Sequence, residues 1–171
     1  MDPRADEINV GDIAHALSLQ CRFSGHCNKF YSVAEHSVRV SIAIHTNGVG
    51  IADHNPETVR LESLWGLLHD ASEAYLTDVA RPVKRFLANY AEIEEGVMRV
   101  VAERFGLEWP MPQIVKHFDN ALLATEARDL MVKPPMPWGW MPEPLTARIE
   151  PMGPGEACNA FMQRFESLYR S

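Results

Sequence analysis

Leu67-Leu68-His69-Asp70-Ala71-Ser72-Glu73 ends an apolar run with an adjacent histidine and aspartate and adds a further acid one helical turn later. Just upstream, Leu61, Leu64, Trp65 and Leu68 recur at helical spacing, so the run is the core-facing side of a helix. Asn55-Pro56-Glu57 supplies its start, with a capping side chain, a proline at the first helical position and an early acid. This third helix is expected to continue to about Tyr75 and to carry the polar cluster His69, Asp70 and Glu73 at its C-terminal end.

Working backwards, Ser32-Val33-Ala34-Glu35 has the form of a capping box and opens a second helix running to about His45. Val33, Ser37, Val40 and Ile44 fall on one side of it, and His36 sits with them, pointing inward. A turn with Asn47-Gly48 and Gly50 follows. A first helix is expected from Asn9 to Phe23, on Ile13, Ala14 and Leu17, with Asn9 or Asp12 as its cap. Arg22 to Tyr31 has no period and reads as a loop.

Forwards, Thr77 to Lys84 is a turn into a short helix, because Pro82 is tolerated only near a helix start. Tyr90 to Phe105 is a fifth helix with Gly106 at its C-cap, and Gln113 to Met131 a sixth, carrying Asp119. Lys133 to Pro154 holds seven of the chain's twelve prolines together with Trp138 and Trp140. It reads as an ordered surface loop, its Met and Trp residues serving packing or oligomer contact. A last helix spans Glu156 to Tyr169. No period-two strand pattern occurs, so the expected fold is all-α, one domain over residues 1–171 behind a tail at 1–8.

The 171 residues are 46% hydrophobic, enough to bury a sizeable core. A net charge of −7 argues against a binder of polymeric nucleic acid, though a few local cations could hold a small phosphorylated ligand. Cys21, Cys27 and Cys158 are odd in number and form no CxxC pair, which suggests neither a disulfide framework nor a zinc ribbon. With no run near the ~20 apolar residues that span a bilayer, a soluble cytoplasmic protein without membrane partners is expected.

His36, His69, Asp70 and Asp119 combine the nitrogen and oxygen donors that Zn, Mn, Fe or Co prefer. Consecutive His69 and Asp70 lie about 100° apart around a helix axis, so both can reach a metal above the seam between them. Glu73 flanks that spot and is the natural proton-transfer group. Each side chain also has an ordinary structural use, as a hydrogen-bonded core histidine or a solvated helix-end acid. Spacing leaves both uses open. Asp78 could equally cap the short helix after it. His26 could approach a ligand or simply be exposed, His117 projects away from Asp119, and Glu126, Arg128 and Asp129 could form helix-surface or intersubunit ion pairs.

The order His36, His69-Asp70, Asp119 resembles the signature of HD-domain metal-dependent phosphohydrolases. The likeness extends to Arg22-Phe23, to Phe30 through Ser37, to Leu67 through Leu76, to Asp78 with Arg81-Pro82-Val83-Lys84, and to Thr125 through Leu130. It is similar to the small single-domain branch that includes bacterial 5′-deoxynucleotidases and phage deoxyadenosine triphosphate triphosphohydrolases. The resemblance implies that His36, His69, Asp70 and Asp119 hold one divalent metal, with a second ion such as Mg accompanying a triphosphate. It makes Glu73 and Asp78 the catalytic acids, with Arg22, Phe23 and Lys84 contacting substrate. Phe23 stands where the nucleotidases often have tryptophan. The function expected is release of tripolyphosphate from a deoxynucleoside triphosphate, in a homo-oligomer. The alternatives are a 5′-deoxynucleotidase acting on monophosphates and a nucleotide sensor without turnover.

Overall fold

The computed structural model describes residues 3–48, 55–132 and 142–169. Among them the chain is all-α: α1 (Val10–Leu19), α2 (Val33–Gly48), α3 (Pro56–Leu68), α4 (Glu73–Leu76), α5 (Arg81–Lys84), α6 (Tyr90–Phe105), α7 (Gln113–Leu130) and α8 (Pro154–Leu168), with 3-10 turns at Ala5–Glu7 and Arg22–Gly25. Among the described residues, β pairing is limited to an isolated antiparallel bridge between Cys21 and Ser32. None of these helices is long and apolar enough to cross a membrane.

The helices start where their caps place them. Asn9 accepts from the backbone N–H groups of Gly11 and Asp12 at the head of α1, and Asn55 accepts from Thr58 N–H at 2.8 Å at the head of α3. Ser32 Oγ accepts from Glu35 N–H at 3.1 Å, but Glu35 does not return the bond. Its buried carboxylate takes Arg39 instead, at 2.8 Å, and Met152 N–H at 2.8 Å. At the end of α6, Gly106 has φ +67°, which lets Leu107 N–H reach back to Ala102 O at 2.9 Å.

The core is one cluster. Ile13 and Leu17, Val40 and Ile44, Leu64, Trp65 and Leu68, Val101, Val115 and Leu122, and Phe161 contribute to it from α1, α2, α3, α6, α7 and α8. Each fully buried large aliphatic contributes roughly 1.5–3 kcal/mol. The most extensive helix pair is α2 with α3. Gly66 makes their approach possible, because a Cβ there would stand 2.5 Å from Ile44 Cδ1 and 3.2 Å from the Ser41 Cα.

Three boundaries differ from the sequence expectation. The first helix ends at Leu19, which is 57% exposed, not at Phe23. The chain there pairs with the far side of the loop, Arg22 N–H to Tyr31 O at 2.9 Å and Val33 N–H to Gln20 O at 3.1 Å. The third helix stops at Leu68, and His69 to Ser72 form tight turns before α4. Here the His69 Nδ1–H occupies Gly66 O at 2.8 Å, the carbonyl that a continuing helix would offer to its own backbone. Asn47 and Gly48 belong to α2 rather than to a turn, the Asn47 side chain bonding Ala43 O at 2.7 Å. Gly50, Trp138 and Trp140, and residues 133–141 of the proline-rich segment, lie outside the described residues.

The rest of that segment is tied down. Arg128 donates to Leu145 O and Ala147 O at 2.7 Å each, Thr125 Oγ1 accepts from Leu145 N–H at 2.8 Å, and Asp129 accepts from Ile149 N–H at 3.0 Å.

Candidate metal centre

Helices α2 and α7 and the turn after α3 bring His36, His69 and Asp119 together, one donor atom of each lying within 4.8 Å of the others. His36 Nε2 is 3.3 Å from His69 Nε2 and 3.4 Å from Asp119 Oδ1. Asp70 Oδ2 is 3.3 Å from His69 Nε2 and 3.7 Å from His36 Nε2. Three of the four expected ligands therefore share one spot, and Asp70 flanks it from the side of the two histidines.

Both imidazoles are oriented from behind. His36 Nδ1 lies 2.6 Å from Glu126 Oε1, and His69 Nδ1 bonds Gly66 O, so each ring turns its Nε2 toward the shared spot. Two Nε2 atoms at 3.3 Å both carrying lone pairs would repel, and a proton between them removes the conflict. Burial and Arg22 act to lower the His36 pKa, but Glu126 and Asp119 outweigh them and push it up to about 9. Burial lowers that of His69. Asp119 is held well below the usual carboxylate range, the cost of its burial outweighed by the His36 hydrogen bond and the charge of His69. This is a set of nitrogen and oxygen donors of the kind a divalent transition ion takes, and it fits such an ion.

Arg22 is buried beside the cluster, with one amino group 3.2 Å from Glu126 Oε2 and the other 3.5 Å from Asp70 Oδ2. Phe23 and Ser24 follow it at φ +57° and +51°, a left-handed conformation that costs side-chain-bearing residues about 1–2 kcal/mol each. The loop holds this shape through His26 N–H to Phe23 O and Asn28 N–H to Leu130 O, both 2.9 Å. Its reward is that Arg22, Phe23 and Ser24 all wall one cavity of about 600 Å³ in front of the cluster.

That cavity has a mixed lining. Asp70, Glu73, Asp78 and Asp119 are its acids, and Trp65, Met98, Trp109, Met111, Val115 and Leu123 its large apolar side chains. Burial, then the charges of Asp70 and Asp78, push the Glu73 carboxyl up to about 9, so it keeps its proton at neutral pH. Its Oε2 is buried without a hydrogen-bond partner. Asp78 does not cap α5, since Ala80 holds that position without a side-chain bond. Lys84 Nζ is 2.6 Å from Glu94 and 3.7 Å from Glu73. His26 and His117 are exposed and line no part of the cavity.

Sequence reasoning missed Glu126, expected at a surface and found wholly buried between His36 and Arg22. A signal existed: Glu126 lies seven residues after Asp119, hence on the same face of α7. It also missed Arg81, whose guanidinium is 2.5 Å from Asp119 Oδ2, and Lys116 at 3.6 Å. Asp129 faces inward as well, bridging Arg128 and Arg148 within the chain at 2.7 and 2.6 Å.

Compared with known proteins, the chain is 38% identical over 166 residues to the uncharacterized protein YfdR of Escherichia coli K12, covering 95% of this chain and 85% of that relative. It belongs to the YfdR family. An uncharacterized protein of Rhodobacter capsulatus is 35% identical over 131 residues, which span 75% of this chain and 63% of the relative's length. No protein-family model matches.

Proposed function

We propose that this member of the YfdR family is a metal-dependent phosphohydrolase acting on deoxynucleotides. The observation that carries the reading is the juxtaposition of the His36, His69 and Asp119 donor group, with Asp70 beside it, and a buried, protonated Glu73 at one cavity of about 600 Å³. His36, His69, Asp70 and Asp119 would hold the ion. When bound, it supplies Lewis acidity toward a phosphoryl oxygen and makes water nucleophilic near neutral pH.

The protein's own groups do the rest. Glu73 carries a proton at neutral pH and delivers it to the leaving 5′-oxygen, and Asp78, on the same wall, raises the affinity of Glu73 for that proton. Arg22 keeps its charge under all working conditions, because Glu126 and Asp70 outweigh the cost of burying it. It fixes Asp70 and faces incoming phosphate. Arg81, Lys84 and Lys116 add positive charge to the wall. The apolar part of the lining accepts a flat aromatic group beside Trp65 and Trp109, whose ring centroids are 6.0 Å apart.

The resemblance in Arg22 to His26 and Thr125 to Asp129 supports a triphosphate as the substrate. A specific observation favours the second reading, a monophosphate: Arg22, Arg81 and Lys84 are each already paired with a carboxylate, which leaves little unmatched positive charge for a polyphosphate. Incubating metal-loaded protein with dATP and with dAMP and separating the products by ion chromatography decides between them. Tripolyphosphate from dATP supports the first, orthophosphate from dAMP the second, and no product from either refutes the proposal.

A further inference from the structure

Two free thiols flank the strained part of the cavity loop. Cys21 Sγ and Cys27 Sγ are 3.6 Å apart, both are partly exposed, and between them run Arg22, Phe23 and Ser24. Their backbones are held from both sides of the loop. Cys21 is bridged to Ser32, and Asn28, next to Cys27, donates its N–H to Leu130 O. The sulfurs therefore face each other because the fold holds them there, and a closure of about 1.5 Å brings them to bonding distance.

We propose that Cys21 and Cys27 are an oxidisable dithiol, a modification site whose disulfide clamps the Arg22–Gly25 turn. With hydrogen peroxide as oxidant, the Cys21 sulfur attacks one peroxide oxygen, the O–O bond breaks and water leaves. The resulting sulfenic sulfur is then attacked by Cys27, forming the S–S bond and releasing a second water. Two thiols lose two electrons and two protons, and one peroxide becomes two waters. Burial, and then the hydrogen bond to Cys21, push the Cys27 thiol up, which suits it to the second, resolving step.

The clamp acts on the site's least favourable backbone. Phe23 and Ser24 hold left-handed angles kept by backbone hydrogen bonds, and a ring closed from Cys21 to Cys27 adds a covalent restraint on them. In a reducing compartment the bond would form only transiently, as expected of a sensor pair rather than a structural disulfide. The proposal does not rest on the hydrolase reading, since its readouts are thiol chemistry and melting temperature.

The test is to treat reduced protein with one equivalent of hydrogen peroxide, then count free thiols, map peptides by mass and measure Tm. The expected result is loss of two of the three thiols, a Cys21–Cys27 linked peptide and a free Cys158. Tm should rise by roughly 5 °C, reversed by dithiothreitol. The variants C21S and C27S should each keep their remaining thiols and show no rise. Linkage to Cys158 or between chains, no linkage at all, or a disulfide that leaves Tm unchanged would overturn the proposal.

Discussion

His36 Nδ1 lies 2.6 Å from Glu126 Oε1, across 90 residues of sequence and with both side chains wholly buried. The contact leaves the other nitrogen of His36 facing His69 and Asp119, and the second oxygen of Glu126 takes Arg22. One carboxylate thus orients a candidate ligand and neutralises the cation beside it. Replacing Glu126 by Gln keeps much of the shape and removes the charge. We expect divalent metal affinity to fall about 10- to 100-fold, measured by competition with a chromophoric chelator. Glu126→Ala leaves Arg22 and His36 buried without that carboxylate and should destabilise the fold by about 3–5 kcal/mol in urea unfolding.

Glu73 is expected to separate binding from turnover. Glu73→Gln should retain stoichiometric metal and lower kcat by about 10²- to 10⁴-fold. In the wild type the activity that needs its proton should decline at high pH, because burial raises the Glu73 carboxyl above the usual carboxylate range. A pH profile of kcat checks this, and the Gln variant should lack that limb.

The metal-free protein should lose stability as pH rises. His36 goes from 6.5 in the unfolded chain to about 9 in the fold, and Glu73 from 4.5 to about 9. Both native groups hold protons that the unfolded chain releases, so their contributions are full below the unfolded values and vanish as pH passes about 9. Calorimetry of chelator-treated protein between pH 6.5 and 9 should show Tm falling. Metal binding at pH 7 should in turn release about one proton, from His36.

Gly66→Ala tests the packing that sets the spacing of the histidines. The new Cβ would meet Ile44 Cδ1 at 2.5 Å and the Ser41 backbone at 3.2 Å, and backbone cannot step aside. Separating α2 from α3 should cost about 1–3 kcal/mol and weaken metal binding, because His36 and His69 ride on opposite sides of that contact. Chemical denaturation and metal titration of the same variant would report both effects.

Asp129 supplies the contrast, a buried acid away from the centre. It is held well below the usual carboxylate range, first by Arg128 and, against the cost of burial, by Ile149 N–H and Arg148. Asp129→Asn should cost about 1–3 kcal/mol with kcat unchanged. This stabilisation exists above the unfolded value of 3.8 and is lost as pH falls through the folded one, so the gap to wild type should narrow in acid.

Much of this was legible in the sequence because it is local. Val33, His36, Val40 and Ile44 share a helix face and are buried, and Asn9, Ser32 and Asn55 cap where their spacing says they should. The ligand candidates were legible as residue types, and the fold brings them together. What periodicity could not convey is pairing through space. Nothing local says that Glu126 meets His36, or that Arg22 lies buried between Glu126 and Asp70 rather than reaching out to solvent. The early end of α3 was hidden for a related reason. It depends on one side chain, His69, taking the Gly66 carbonyl, which helix propensity does not weigh.

The most direct test is anomalous diffraction from a crystal grown with one equivalent of Mn or Zn, collected at that metal's absorption edge. A metal centre at this cluster predicts a single strong peak within roughly 2.0–2.3 Å of His36 Nε2, His69 Nε2 and Asp119, with Asp70 drawn in beside it. A fully metal-loaded protein whose peak lies elsewhere, or a crystal with no peak at this cluster, would contradict it.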